Sequence, residues 1–267
     1  MPNSTLLDPL FHHVEAPEFT DRHIAQLAAG TLAAVRIPNF LTPGACTSSL
    51  TALDRLPTAD YDPARVPTPI VRFGPALNDY RQTDGTLDHG AYWDAAAAAR
   101  TAWTRAGLRP DPIGIALARL GHAWGAAVTP ATISGRPIFG GTLREINNGA
   151  LVHYDDVNRE FDQGLFDQHV VAQLAFNAWI AAPEQGGETT VWRHRWQPSD
   201  EQHRDAYGYR PCTVDDRQHV RLAPQAGDGL LFNPANYHAV AANQAGRRIA
   251  FAFFLAITTT GQLIAWS

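Results

Sequence analysis

His153-Tyr154-Asp155, His238 far downstream and Arg247-Arg248 beyond it are the residues of this 267-residue chain whose types and spacing could do chemistry. Two imidazoles and one carboxylate can occupy one face of an iron(II) ion and leave the opposite face open. An arginine past the second histidine could grip the carboxylate of an acidic co-substrate. The bare pattern is common: with 11 His and 19 Asp, chance alone supplies about 0.8 His-x-Asp pairs. A second pair does occur, His203-Arg204-Asp205, inside a uniformly polar run that reads as a solvated helix or loop. His153-Tyr154-Asp155 instead ends the apolar run Leu151-Val152, and a period of two puts His153 and Asp155 on the same face of a strand.

The elements that must position these residues fall into two halves. Residues 20–33 read as a helix, residues 34–40 as a strand, and Thr42-Pro43 as the cap and first residue of another helix. Residues 57–88 are rich in Pro, Asp and Gly and read as loops, with a short strand near 70–73. Helices follow at 89–106 and 111–126. From 136 onward the pattern becomes short strands between turn residues: 138–147, 151–154, 170–180, 189–193, 220–222, 229–232, 239–242 and 248–256. This is mainly β with bracing helices, a sandwich or jelly roll, and we read residues 1–267 as a single domain. Residues 1–135 would be helical and loop support with lid elements. Residues 136–257 would be the core, with the polar insert 194–219 as a lid.

Composition narrows the function. There is no apolar run of eighteen residues, and Met1–Phe11 lacks the basic and apolar segments of a signal peptide, so no membrane partner is expected. Two cysteines suit a reducing, cytoplasmic compartment. A net charge of −5 argues against nucleic-acid binding. All 21 basic residues are arginine, so any bound anion must be held by Arg, His or backbone N–H groups. The partner is read as a small-molecule substrate; the oligomeric state stays open.

Three further segments matter: Ile180–Thr189 closing in Gly-Gly-Glu-Thr, Ala226-Gly227-Asp228-Gly229 leading into Leu230–Pro234, and Tyr237-His238 followed by Gly246–Phe251. In this order they resemble the double-stranded β-helix (cupin-like jelly roll) core of iron(II)/2-oxoglutarate-dependent oxygenases, especially the prolyl-4-hydroxylase-like branch. A weaker likeness lies at Arg36–Pro43. The resemblance implies that His153, Asp155 and His238 hold Fe(II). It implies that Arg248, rather than Arg247, binds the distal carboxylate of 2-oxoglutarate. O2 is then the second co-substrate and ascorbate an accessory reductant, and a C–H bond is oxidised with release of succinate and CO2. Related halogenases carry Gly or Ala where Asp155 stands, and the vacancy admits halide; the carboxylate here points to hydroxylation.

Secondary candidates rest on strand faces and charge. Gln173 and Asn177 share a face that we place toward the pocket, as do Glu145 and Asn147, with Asn147 and Gln173 expected to contact 2-oxoglutarate. Asn177, Arg72 and Asp156 are candidates for the substrate, Arg72 for a carboxylate and Asp156 for an amine. The reading is an oxygenase acting on a small polar, free amino-acid-like molecule. Ring closure (cyclopropane formation, for example), desaturation and prolyl-type peptide hydroxylation are alternatives within the chemistry. A non-catalytic small-molecule-binding barrel is the alternative outside it.

Overall fold

The computed structural model describes residues 11–267. Met1–Leu10, most of the stretch inspected for a signal segment, lie outside them. Two mainly antiparallel sheets face one another, with parallel pairs only at the margins of the larger, and helices cover its outer face. The larger sheet runs, by strand, 13–15, 34–37, 229–232, 170–181, 249–258, 142–145, 71–73, 59–60, with Leu263–Trp266 also paired to Ile249–Thr258. The smaller runs 204–205, 208–209, 150–153, 236–240, 189–195, 219–222. This is the jelly-roll architecture expected from the sequence.

The alternation of side chains along Val170–Ala181 separates two cores. Leu174, Phe176, Ala178 and Ile180 point to the helices, where Phe176 meets Phe19, Phe40 and Phe253. Ala175 and Trp179 point between the sheets, with Val191, Leu230 and Phe232. The helices start and stop where the residues dictate. Thr20, Thr42, Asp88 and Asp111 cap the N-termini of Asp21–Ala29, Pro43–Leu53, His89–Ala106 and Pro112–Trp124. Gly30, Gly107 and Gly125 end three of them in the left-handed conformation.

Several expectations are corrected. The N-terminal half is more than support: Ala34–Ile37 and Val71–Phe73 are strands of the larger sheet, paired with 229–232 and 142–145. The strand expected at 138–147 shrinks to Thr142–Glu145, because Gly140-Gly141 break it and Gly141 has φ 94°. The strand expected at 239–242 is Asn236–Val240, so His238 lies in mid-strand. Leu263–Trp266, unforeseen, is a buried strand. Residues 194–219, read as a lid, lie along the smaller sheet, and Tyr207 reaches the cavity. Two 3-10 turns and a short hairpin bring Tyr209 into register with Val152, in the strand that ends at His153. Tyr209, Thr213 and Val214 in this insert are buried.

Candidate active site

His153 and His238 are direct cross-strand neighbours, which sets their rings 4.2 Å apart. Each ring is oriented the same way: Nδ1 lies 2.7 Å from the carbonyl of Leu151 in one case and 3.1 Å from that of Asn236 in the other. Donation from Nδ1–H to a carbonyl leaves the Nε2 lone pair free, the tautomer a metal requires. Asp155 is fixed by its own N–H, which donates to the Pro234 carbonyl in the turn that opens the His238 strand. Its Oδ2 lies 3.3 Å from His238 Nε2 and 4.0 Å from His153 Nε2. One ligand atom from each of the three residues fits within a 4.8 Å span.

The protonation states suit a divalent cation. Burial, and then the neighbouring His238, bring His153 down to about 4. Burial works to raise Asp155, but its contact with His238 and the positive charge of Arg144 hold it at about 2. Near neutral pH the candidate ligand set is therefore a neutral imidazole at the end of strand 150–153 and a carboxylate two residues beyond it, with His238 opposite. Metal binding displaces no proton from His153 or Asp155. The donor set and its geometry fit iron(II).

Arg248 lines the same cavity, which measures about 230 Å³ and is lined also by His153, Asp155 and His238. It is 2% exposed. Its Nε donates to the Gly187 carbonyl and Nη2 to Thr189 Oγ1. No carboxylate among the described residues is ion-paired with it, and burial pushes its guanidinium down to about 10. A buried cation that lacks an anion is a site for one. The Gly-Gly-Glu-Thr motif is its cradle: Gly186 and Gly187 take φ of 84° and 74°, turning the chain so that the Gly187 carbonyl meets the guanidinium. Arg247 is exposed and spent on Glu145, at 2.6 Å.

The Gly-Asp motif has a scaffold role. Asp228 is buried, pairs with Arg36 at 2.5 Å and accepts from Asn39 N–H, tying 34–40 to the strand that leads to His238. Gly227 and Gly229 allow this approach, since a Cβ there would meet Leu41 O at 2.8 Å and Phe40 Cγ at 2.9 Å.

The other candidates divide. Asn177 lines the cavity. Gln173 is buried and accepts from Val157 N–H, steadying the chain just after Asp155; it lines a smaller adjoining void. Asn147 faces away. Its Oδ1 accepts from Arg248 N–H and its Nδ2 donates to Glu145, so it holds the backbone of Arg248. The face chosen for Glu145 and Asn147 is the wrong one: Arg144 and Ile146 line the cavity. Leu143, buried under the helices, carried the missed signal, because it shares a parity with 145 and 147. Arg72 is not among the cavity residues. It pairs with Asp79, donates to the Gly74 carbonyl and lies over the Tyr61 ring. Asp156 is a cap, accepting from Asn158 N–H at the start of Val157–Glu160. The decoy ends in surface structure, with His203 3.6 Å from the exposed Cys212.

Sequence reasoning missed Arg144, Tyr61, Arg65, Asp79 and Tyr207, all at the cavity wall. Four come from segments with no periodicity, the 57–88 loops and the 194–219 insert. Tyr207 accepts from Leu151 N–H, and its ring lies 5.5 Å from that of His153.

Comparison with known proteins agrees with this geometry. The family model described as carrier-protein-independent halogenase WelO5 matches residues 117–267. An L-gamma-glutamyl-L-propargylglycine hydroxylase of Streptantibioticus cattleyicolor is 54% identical over 258 residues, 96% of each chain. The chain belongs to the WelO5 family of iron(II)/2-oxoglutarate-dependent oxygenases. An N-substituted L-amino acid dioxygenase of Burkholderia ambifaria shares the fold, with TM-score 0.64, 16% identity and coverage of 93% and 92% of the two chains. A second structure of that dioxygenase, in complex with 2-oxoglutarate, gives TM-score 0.62 at 17% identity, covering 92% and 91%. This family member is an iron(II)/2-oxoglutarate-dependent dioxygenase, and its cofactors are Fe(II), 2-oxoglutarate and O2. No helix among the described residues is long and apolar enough to cross a membrane.

Proposed function

We propose that the enzyme hydroxylates an aliphatic C–H bond of a small amino-acid derivative, of the γ-glutamyl amino acid class, with the metal held by His153, Asp155 and His238. The observation that carries this reading is the joint placement of the three ligands and the unpaired Arg248 in one cavity. The 54% identity to a γ-glutamyl amino acid hydroxylase supports the substrate class. We further read the core as prolyl-4-hydroxylase-like, on the Gly-Gly and Gly-Asp turns, and the compartment as cytosol, because both cysteines are free.

Bound iron(II) and 2-oxoglutarate supply O2 activation and hydrogen-atom abstraction. The residues of the chain supply the rest. Arg248 anchors the distal carboxylate of 2-oxoglutarate, so its other end is directed toward the triad. Leu151 and Asn236 carbonyls hold the imidazoles in the ligating tautomer. Phe232, Phe254 and Ala252 line an apolar wall that keeps bulk water from the reacting carbon. The family model bears the name of a halogenase, yet Asp155 occupies the ligand position that halide would need. Hydroxylation follows.

The test is purified enzyme with iron(II), 2-oxoglutarate and O2 on a panel of γ-glutamyl and free amino acids. We expect succinate with a product heavier by one oxygen atom, strongest in the γ-glutamyl set. Succinate no higher than in a His153→Ala control across the whole panel would refute the reading.

A further inference from the structure

Beyond the three candidate metal ligands and Arg248, the described cavity wall carries more guanidinium groups than carboxylates. Arg144 and Arg65 line it, with Asp79, and Arg72 stands behind Asp79. That is three guanidinium groups around one carboxylate. Asp155 adds a second carboxylate only while the metal is absent; bound iron(II) claims its charge. Asp62, near Arg65 in sequence, is exposed and caps its own turn by accepting from Ala64 N–H. Glu160 lines the smaller void and not the main cavity, and its Oε1 accepts from Asn78 Nδ2. Arg144 is the deepest of the three cations. Its Nε is buried and has no hydrogen-bond partner, and it borders both the main cavity and the smaller void beside His153 and Asp155. Arg65 sits on an exposed loop at the rim.

Arg144 has a buried, unpartnered Nε and Arg65 stands exposed at the edge of the same cavity, so one ligand carrying two anions could meet both. We propose that Arg144 and Arg65 are specificity-determining residues that read two separate carboxylates on one substrate. Arg144 takes the carboxylate beside the carbon that is oxidised, and Arg65 takes the remote one at the mouth. A free monocarboxylic amino acid satisfies only one of them; a γ-glutamyl dipeptide, with its C-terminal carboxylate and the α-carboxylate of the glutamyl residue, satisfies both. This rests on the proposed substrate class and supplies its physical basis. It also divides the arginines by task, Arg248 for the co-substrate and the other two for the substrate.

The experiment is anaerobic calorimetric titration of the iron(II)/2-oxoglutarate enzyme with γ-glutamyl-norvaline. Two truncated ligands accompany it: its C-terminal carboxamide, and 4-aminobutanoyl-norvaline, which lacks the remote carboxylate. The wild type should bind the parent about 10- to 100-fold more tightly than either truncation, the worth of a hydrogen-bonded charge pair. Arg144→Met should abolish the acid-over-amide preference alone, and Arg65→Ala the preference for the remote carboxylate alone. The Arg65 arm stands on an exposed loop and survives any folding defect at Arg144. Persistence of both preferences in the variants overturns the proposal. So does a loss of 2-oxoglutarate affinity in Arg144→Met with the acid-over-amide preference intact, which would assign that arginine to the co-substrate. Turnover of γ-glutamyl-norvaline by the wild type is scored separately. Its absence sinks the substrate class itself, whereas its presence with unchanged preferences sinks only the roles of the two arginines.

Discussion

Replacing Arg248 with Met should separate stability from function, with effects of very different size. The guanidinium is 2% exposed, and burial lowers it from 12.5 to about 10. At about 1.4 kcal/mol for each tenfold change in acidity, keeping that charge inside costs on the order of 3 kcal/mol. Met removes this cost and keeps most of the volume. It also strips the Gly187 carbonyl and Thr189 hydroxyl of their donor, a loss of about 1–3 kcal/mol for the carbonyl and less for the hydroxyl. The two contributions nearly cancel, so urea unfolding of the ligand-free variant should fall within about 2 kcal/mol of wild type. Affinity for 2-oxoglutarate should fall by about 2–4 kcal/mol, roughly 30- to 1,000-fold, because the co-substrate loses its charged partner. Calorimetric titration of 2-oxoglutarate into the iron(II) enzyme without oxygen reads this directly. Stabilisation of the variant by 2-oxoglutarate equal to that of wild type would refute the anchoring role. A loss of more than about 4 kcal/mol in the ligand-free protein would mark Arg248 as a structural residue instead.

Other predictions follow from the same geometry. Glu160 is raised from 4.5 to about 8 by burial and by Asp155, so between those values the unfolded chain has released a proton that the folded one retains. Stability from this group is full below about 4.5 and declines as pH rises through 8. Glu160→Gln should flatten the fall in melting temperature between pH 6 and 8.5 and raise it at the alkaline end; an unchanged slope would argue against a protonated Glu160. Gly208→Ala places a Cβ 2.5 Å from the Val152 carbonyl and 2.9 Å from Leu151 Cβ, so the insert must lift off the metal-ligand strand. We expect a loss of about 2–4 kcal/mol in chemical denaturation, and a neutral result would show that the insert is not packed as described. Asp155→Ala removes the one anion of the proposed ligand set, and competition with a chelator should show iron(II) held at least about tenfold more weakly.

Much of the site was legible in the chain because chemistry of this kind demands residue types that chance seldom groups. His153 and Asp155 were separable from His203 and Asp205 by the apolar run before them. The Gly-Gly-Glu-Thr and Gly-Asp turns marked the places where the backbone must come close to Arg248 and to Phe40. The period-two pattern of 170–181 announced a strand with two different neighbours, and the parity of Arg248 against Ile249 and Phe251 put the arginine inside.

Other choices depend on which face meets which neighbour, and a strand's own pattern does not name its neighbours. Glu145 and Arg144 are equally polar, and only the helices packed on Leu143 turn Arg144 inward. Arg72 and Arg65 sit seven positions apart in one loop-rich stretch, yet Arg72 is consumed by Asp79 while Arg65 reaches the cavity. Asp156 and Asn147 are drawn off by backbone N–H groups that become available only once the chain has turned. The candidate metal ligands were legible in local sequence, since His153 ends an apolar strand, Asp155 follows it and the turns before His238 mark the third. The make-up of the cavity wall is a property of the folded chain, because Arg144 from a strand and Arg65 and Tyr207 from loops meet there only when both sheets have closed.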